Sequence, residues 1–244
     1  MAHQVETMAH AGEVPWHGLG VSVSNDLTPQ QMQQKAGLDW KVEKQDLVTA
    51  SGAKVDGKQA LVRTSDNKVL DVIGKGWNPV QNDEAFDFFS EYVLAGDMEM
   101  NTAGSLRDGN MVWALAKVKD SFTILGEDQV DSYLLFSNPH QYGKAIDVRF
   151  TPIRVVCNNT LSLSLGQQVE KSVSLNHRTQ FNPDSVKETL GIASEKFQLY
   201  KETAEFLSTK RFTVESLVQY YNEVFPRTYQ GKKEITVKDF TDLS

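Results

Sequence analysis

The segment from 138 to 181 combines cations with aromatic side chains in a pattern that suits nucleic acid. Five cations stand against two anions, Asp147 and Glu170, which gives a local charge of +3. Lysine and arginine neutralise phosphates, and aromatic rings stack on bases. The candidate nucleic-acid-binding residues of this segment are Lys144, Arg149, Arg154, Lys171, Arg178, Tyr142 and His140.

The same pattern has a plainer explanation. In a strand over 145–150, Asp147 and Arg149 share one face, and the apolar residues between them share the other. A surface strand whose charges pair with each other would have the same sequence. The residues alone leave both interpretations open.

A loop over residues 74–79 is a second, weaker candidate. Lys75 and Trp77 lie here beside two glycines, and a cation next to an aromatic ring again suits a nucleic acid. A tryptophan is, however, more often a core residue. The loop lacks the spacing of a phosphate-binding P-loop.

No known catalytic motif accompanies these candidates. The sequence contains neither a P-loop nor a nucleophile elbow, so an enzymatic activity is not expected, although it is left open. His3, His10 and His17 recur every seven residues, but a metal needs converging ligands. We therefore expect no catalytic residue, metal or cofactor.

The acidic side chains of residues 83–91 and the single cysteine have structural interpretations. Asp83, Glu84, Asp87 and Glu91 fit the solvated face of a helix. Cys157 ends an apolar strand and is expected to be a buried thiol. One cysteine, the lack of a visible secretory signal and the lack of a long apolar segment predict a protein of the cytoplasm, with no membrane partner.

The hydrophobic patterns predict an α+β fold with a largely antiparallel sheet packed on helices. A helix is expected after Thr28-Pro29, followed by three strands between 40 and 73 and a helix over 82–95. Strands are then expected over 98–106, 111–119, 130–137 and 145–156, a short helix over 158–165 and a strand over 169–176. Pro183 begins a long helix, and a further helix is expected over 212–224.

This pattern divides the chain into three parts. Residues 1–27 are predicted to be an irregular N-terminal arm, 28–181 an α+β core domain, and 182–244 a helical C-terminal region. The chain stops at Ser244 without a capping signal, from which we expect a continuation.

Four segments together resemble a known family. They are residues 14–20 (VPWHGLG), 77–86 (WNPVQNDEAF), 151–161 (TPIRVVCNNTL) and 176–179 (NHRT). The chain resembles the phage- and plasmid-encoded family called domain of unknown function 932. More distantly, it is similar to single-strand annealing recombinases, whose core is a β-sheet packed on a helix.

That resemblance implies a function that the residues also allow. It implies an ATP-independent protein of a phage or plasmid that binds and anneals single-stranded DNA in homologous recombination, as a ring or filament. The alternative is a module that binds or inhibits a host protein through its acidic surface. The net charge of −7 first argues against nucleic acid, but outside 138–181 the charge is −10. A groove with only five cations per chain would bind a nucleic acid with modest affinity, so binding is expected to need a homo-oligomer.

Overall fold

The structure, a computed structural model, describes residues 4–119, 122–124, 128–167, 172–190 and 215. The chain divides into two compact units, residues 1–122 with 129–198 and residues 123–128 with 199–244. The first unit contains the sheets and helices that position the candidate site.

The described strands and helices have the following bounds. The strands are β1 Val5–Ala11, β2 Val21–Val23, β3 Val42–Val48, β4 Lys54–Arg63, β5 Lys68–Gly74, β6 Met98–Leu106, β7 Met111–Val118, β8 Phe122–Ile124, β9 Asp128–Val130, β10 Tyr133–Pro139, β11 Ala145–Thr151 and β12 Ser172–Asn176. The helices are α1 Pro29–Lys35, α2 Asn82–Asp87, α3 Ser90–Ala95 and α4 Asn158–Gly166, and residues 183–190 are also helical.

The predicted α+β class is confirmed. Seven strands form one sheet in the order β12-β11-β10-β7-β6-β1-β2, in which only the short β1–β2 pair is parallel. A three-stranded antiparallel sheet has the order β3-β4-β5, and β8 pairs with β9. The first three predicted strands and the helix after them are thus β3, β4, β5 and α2–α3.

Both faces of the seven-stranded sheet are covered by apolar side chains. One core cluster lies against the helices and the three-stranded sheet, with Met32, Phe86 and Phe136 at its centre. The other contains Trp113, Leu115 and Cys157 and packs against α4. The side chains of β7 alternate between the two faces, because Trp113 and Leu115 enter the second cluster while Ala114 enters the first. Cys157 is buried, as expected.

The helix predicted over 82–95 is broken in two. The amide of Phe89 donates to the carbonyl of Phe86, a tight turn that ends α2 before α3 begins. Phe88 and Phe89 are both buried. Both residues keep right-handed helical dihedral angles, so the chain resumes as a helix directly after the turn.

The prediction of an irregular segment before residue 28 is wrong for β1 and β2. β1 pairs with β6 on one side and β2 on the other, and Met8, Ala9 and Ala11 are buried. Its sequence, VETMAHA, is short of β-branched residues and does not alternate, so its strand character depends on the tertiary neighbours.

The strand predicted over 145–156 is shorter in the structure, whereas the helix predicted from Pro183 agrees as far as it is described. β11 ends at Thr151, before Pro152, which cannot donate to a ladder. The helix at 183–190 begins at the predicted proline, while its predicted continuation lies outside the described residues. The same holds for the helix over 212–224, except Glu215, which is helical. The domain boundaries near 28 and 182 therefore stay predictions. Among the described helices, none is long and apolar enough to cross a membrane.

Candidate nucleic-acid interface

Four exposed cations and one exposed aromatic ring lie on neighbouring segments: strand β4, the loop after β5, the turn before β11 and the turn after β12. We call Lys58, Lys75, Lys144, Arg178 and Tyr142 the cationic surface; each of these residues is exposed. Hydrogen bonds and strand pairs connect the segments that carry them. The surface contains four of the nine residues that the sequence singles out and adds Lys58.

Lys58 and Lys75 approach each other through the β4–β5 pair. Lys58 lies opposite Gly74 in the ladder, and the amide of Lys75 donates to the carbonyl of Gly57 at 3.4 Å. No sequence pattern singles out Lys58, because it lies 17 residues before Lys75 in an unremarkable strand.

Tyr142 connects this pair to the turn before β11. Its amide donates to Asp71 Oδ2 at 2.7 Å, which fixes the turn against the edge of β5. The Lys58 ammonium lies 5.2 Å from the centroid of its ring, which is still 52% exposed. The ring is thus held by a cation–π contact and is open to a stacking partner.

Arg178 and Lys144 adjoin the same turn through β11 and β12. Ala145, directly after Lys144, pairs with Asn176. Asn78, three residues after Lys75, donates through its side-chain amide to the carbonyl of Arg178 at 3.3 Å. This bond joins residues 100 positions apart in the chain and brings the segment of Arg178 against the loop that contains Lys75.

The charges of this surface are available to a ligand. Within the described residues, the side chains of Lys75, Lys144 and Arg178 form no ion pair, whereas the exposed Lys41 and Lys54 pair with Asp83 and Asp46. One carboxylate beside the surface, Asp71, accepts from two backbone amides, those of Val72 and Tyr142. Unpaired cations around an aromatic ring can bind a phosphate backbone and stack a base.

Trp77 is buried beneath the loop that carries Lys75. It is 5% exposed and stacks on His177, with ring centroids 4.0 Å apart and planes 23° apart. Lys44 donates to the carbonyls of Lys75 and Trp77 at 3.2 and 3.1 Å. Trp77 is therefore a core residue that shapes the loop of Lys75, the alternative that its sequence context also favoured.

His140 is buried in the same region and faces away from solvent. Its Nε2 hydrogen-bonds to Asn82 Oδ1 at 3.0 Å, and its ring lies against Trp40. Asn82, the first residue of α2, donates through its side-chain amide to the carbonyls of Leu38 and Trp40. Burial lowers the pKa of His140 to about 3, with a smaller contribution from His177. His140 is therefore neutral at pH 7 and cannot touch a nucleic acid in this conformation.

Arg149 is fully engaged inside the fold. It is 6% exposed and its guanidinium forms a two-pronged ion pair with Asp147. The same group donates to the carbonyls of Ser164, Leu165 and Gln167 at the end of α4. The plainer interpretation of an ion-paired strand thus describes Arg149, and we leave it out of the interface.

Arg154 lies in a polar cleft of about 400 Å³, whose lining contains none of the residues of the cationic surface. Its guanidinium donates to Asn101 Oδ1 at 2.8 Å and to the carbonyl of Ala11 at 2.7 Å. The cleft also contains two ion pairs, Lys117 with Asp131 and Lys119 with Glu99. Its anions balance its cations, so it does not extend the cationic surface.

The remaining predictions concern Lys171 and the acidic helix. Lys171 lies outside the described residues. Asp83, Glu84, Asp87 and Glu91 are exposed on α2 and α3, as expected for a solvated face. Glu84 accepts from the amide of Gln81 and caps α2, and Glu91 pairs with Lys187.

Comparison with known proteins identifies the family of the chain. The model of the family described as domain of unknown function (DUF932) matches residues 69–244. This range is more than half of the chain, and the chain therefore belongs to this family. Three of the four segments that carried the resemblance lie inside it, and the cationic surface, apart from Lys58, lies there too. Neither a curated protein nor a solved structure matches the chain.

Proposed function

We propose that this protein binds single-stranded DNA and anneals complementary strands without ATP, as part of homologous recombination in a phage or plasmid. The observation that carries the proposal is the convergence of Lys58, Lys75, Lys144 and Arg178 around Tyr142. Annealing needs only that the phosphate charge is neutralised while the bases stay free to pair. No catalytic residue, metal or cofactor is required for it.

The arrangement of the cationic surface favours a single strand over a duplex. Its one exposed ring, Tyr142, can stack on a base only where the base is unstacked from its neighbours. Four cations are too few for tight binding by one chain, so we propose that several copies bind one strand, as a ring or filament in the host cytoplasm.

The order of secondary structure also supports this proposal. Three antiparallel strands, β3, β4 and β5, are followed directly by the helices α2 and α3. The strand-strand-strand-helix order is the one that the distant resemblance to annealing recombinases implies. The pattern is common in proteins, and it supports the proposal because the same chain also carries the cationic surface.

Fluorescence anisotropy with a labelled oligonucleotide at low salt tests the binding. We expect the intact chain to bind a 40-nucleotide single strand and to bind a duplex of the same length at least 10-fold more weakly. Tyr142→Leu should weaken single-strand binding about 5- to 10-fold, the range of one lost base stack. With an abasic oligonucleotide, Tyr142→Leu should have no effect. No affinity for a single strand at low salt would contradict the proposal.

Exposed apolar residues of the loop before β2 favour a second candidate, a module that binds a host protein. Val14 and Trp16 are 66% and 71% exposed, and exposed aromatic residues are frequent anchors of protein interfaces. The charge of −10 outside 138–181 would suit a basic partner. Capture of one host protein by the intact chain but not by Trp16→Ala, with no oligonucleotide binding, would select this function.

A further inference from the structure

We infer that Asn78, His177 and Trp77 form a clasp that sets the spacing between the cations Lys75 and Arg178. None of the three would touch the nucleic acid through its side chain in this role. They are positioning residues, and the inference rests on the proposed function. It explains why two of the segments that carry the family resemblance, 77–86 and 176–179, meet in space.

The clasp begins with a reciprocal pair of hydrogen bonds. The amide of Asn78 donates to the carbonyl of His177 at 2.6 Å, and the ring Nδ1 of His177 lies 3.0 Å from the carbonyl of Asn78. Because a carbonyl can only accept, Nδ1 carries the proton and donates. The two residues are therefore tied in both directions, at a sequence separation of 99.

Ring stacking and one amide complete the clasp. Trp77 stacks on the His177 ring, and both rings are buried, at 5% and 2% exposure. The side-chain amide of Asn78 reaches one residue further and donates to the carbonyl of Arg178. The backbone on both sides of His177 is thus fixed against the loop that contains Lys75.

Each half of the clasp directly adjoins one exposed cation. Lys75 precedes Trp77 by two residues, and its carbonyl is held by Lys44. Arg178 follows His177 directly. Neither Lys75 nor Arg178 forms an ion pair within the described residues, and the clasp fixes the backbone segments from which the two side chains extend. Two cations at a fixed separation bind adjacent phosphates with less loss of conformational freedom than two independent ones.

A double-mutant cycle with a single-stranded oligonucleotide tests this inference. We expect His177→Ala to raise the Kd about 5- to 10-fold although all four cations are present. In the His177→Ala background, Lys75→Ala should cost less affinity than it does in the intact chain, because the advantage of a fixed pair is already lost. Lys144→Ala is the matched control, since the Lys144 amide bonds within its own turn, to Gln141, and no described hydrogen bond joins Lys144 to the clasp; it should cost the same in both backgrounds.

Two further variants separate positioning from folding. His177→Asn keeps a donor where Nδ1 stands and should recover part of the affinity that His177→Ala loses. Asn78→Ala removes only an exposed side-chain amide, so it should fold and still raise the Kd 2- to 3-fold. If His177→Ala does not fold, the same cycle is measured between Asn78→Ala and Arg178→Ala.

The outcomes distinguish the clasp from the proposed function. If the intact chain does not bind a single strand, the proposed function fails. If it binds, and Lys75→Ala costs the same with and without the clasp, the clasp inference is overturned while the proposed function stands. Coupling to Lys75 or Arg178, with none to Lys144, supports the clasp.

Discussion

The guanidinium of Arg149 joins β11 to the end of α4 and neutralises a buried carboxylate. Asp147, its partner, has a side chain that is 13% exposed. The carbonyls of residues 164, 165 and 167 lie at the C-terminal end of α4, where a helix leaves carbonyls without intrahelical donors, and Arg149 donates to all three. This single residue therefore satisfies several groups that burial would otherwise penalise.

We expect Arg149→Ala to lower the free energy of unfolding by about 3 kcal/mol or more, because it leaves Asp147 buried and unpaired. Urea titration followed by circular dichroism measures this. Lys144→Ala, on the same strand end but exposed, is the control and should change stability by less than about 0.5 kcal/mol. A folded Arg149→Ala of unchanged stability but weaker DNA binding would return Arg149 to the interface.

The buried histidine His140 should make the fold sensitive to acid. Its pKa is about 3 in the folded protein and about 6.5 when unfolded. Between these values the unfolded chain binds a proton that the folded chain does not. The contribution of His140 to the free energy of unfolding is therefore fully present above pH 6.5 and is lost as the pH falls towards 3. At pH 5 the loss from this group is about 2 kcal/mol.

Urea titrations at pH 7.5 and pH 5 measure that loss. His140→Gln keeps a donor near Nε2 for Asn82 but does not titrate, so we expect it to lose less stability between the two pH values. His177, whose pKa is also lowered by burial, contributes to the loss that is left. An equal loss in the intact chain and in His140→Gln would contradict this account.

At the scale of elements, the close pairing of β1 with β6 needs a glycine. A Cβ on Gly104 would come within 2.4 Å of the carbonyl oxygen of Thr7 and of the Trp113 ring. The first of these contacts is backbone and the second a fully buried ring, so neither can move aside easily. β1 can occupy its inner position in the sheet only because residue 104 has no side chain.

We expect Gly104→Ala to lower the free energy of unfolding by about 1–3 kcal/mol through overpacking. Gly166→Ala at the end of α4 is the control, because an added Cβ there meets nothing within 4 Å. Thermal unfolding of the two variants side by side measures the difference. Equal midpoints would mean that β1 does not pack against β6 as described.

Local sequence predicts the elements better than their partners. The bounds of β6 follow from its own apolar residues, and those of α1 from Thr28-Pro29, where Thr28 and Gln31 form a capping box. β1 has no such signal and becomes a strand because β6 and β2 flank it.

The same distinction between local sequence and tertiary neighbours applies to the residues of the candidate site. Exposed cations on loops, such as Lys144 and Arg178, keep the character that their sequence suggests. Arg149 and Trp77 follow the plainer of the two interpretations that their sequence left open, and contacts with residues 15 or more positions away contribute to that outcome. Lys58 joins the surface only through the β4–β5 pair and the turn of Tyr142, which no local pattern encodes.

At the scale of the molecule, the acidic net charge and the cationic surface are compatible. The charge of −7 weakens non-specific attraction to nucleic acid at long range. At contact, ionic screening acts over about 8–10 Å, so four unpaired cations dominate their own neighbourhood. A chain of this kind should bind DNA through one surface, and through several copies at once.

The salt dependence of single-strand binding tests the central claim most directly. With four phosphate contacts per chain, log Kobs should fall with log salt at a slope of about −3. Replacing Lys58, Lys75, Lys144 and Arg178 together by alanine should bring the slope close to zero and weaken binding at least 100-fold, while Lys41→Ala, which removes a paired lysine, leaves both unchanged. A quadruple variant that binds with the slope and affinity of the intact chain would show that the DNA, if bound, lies elsewhere.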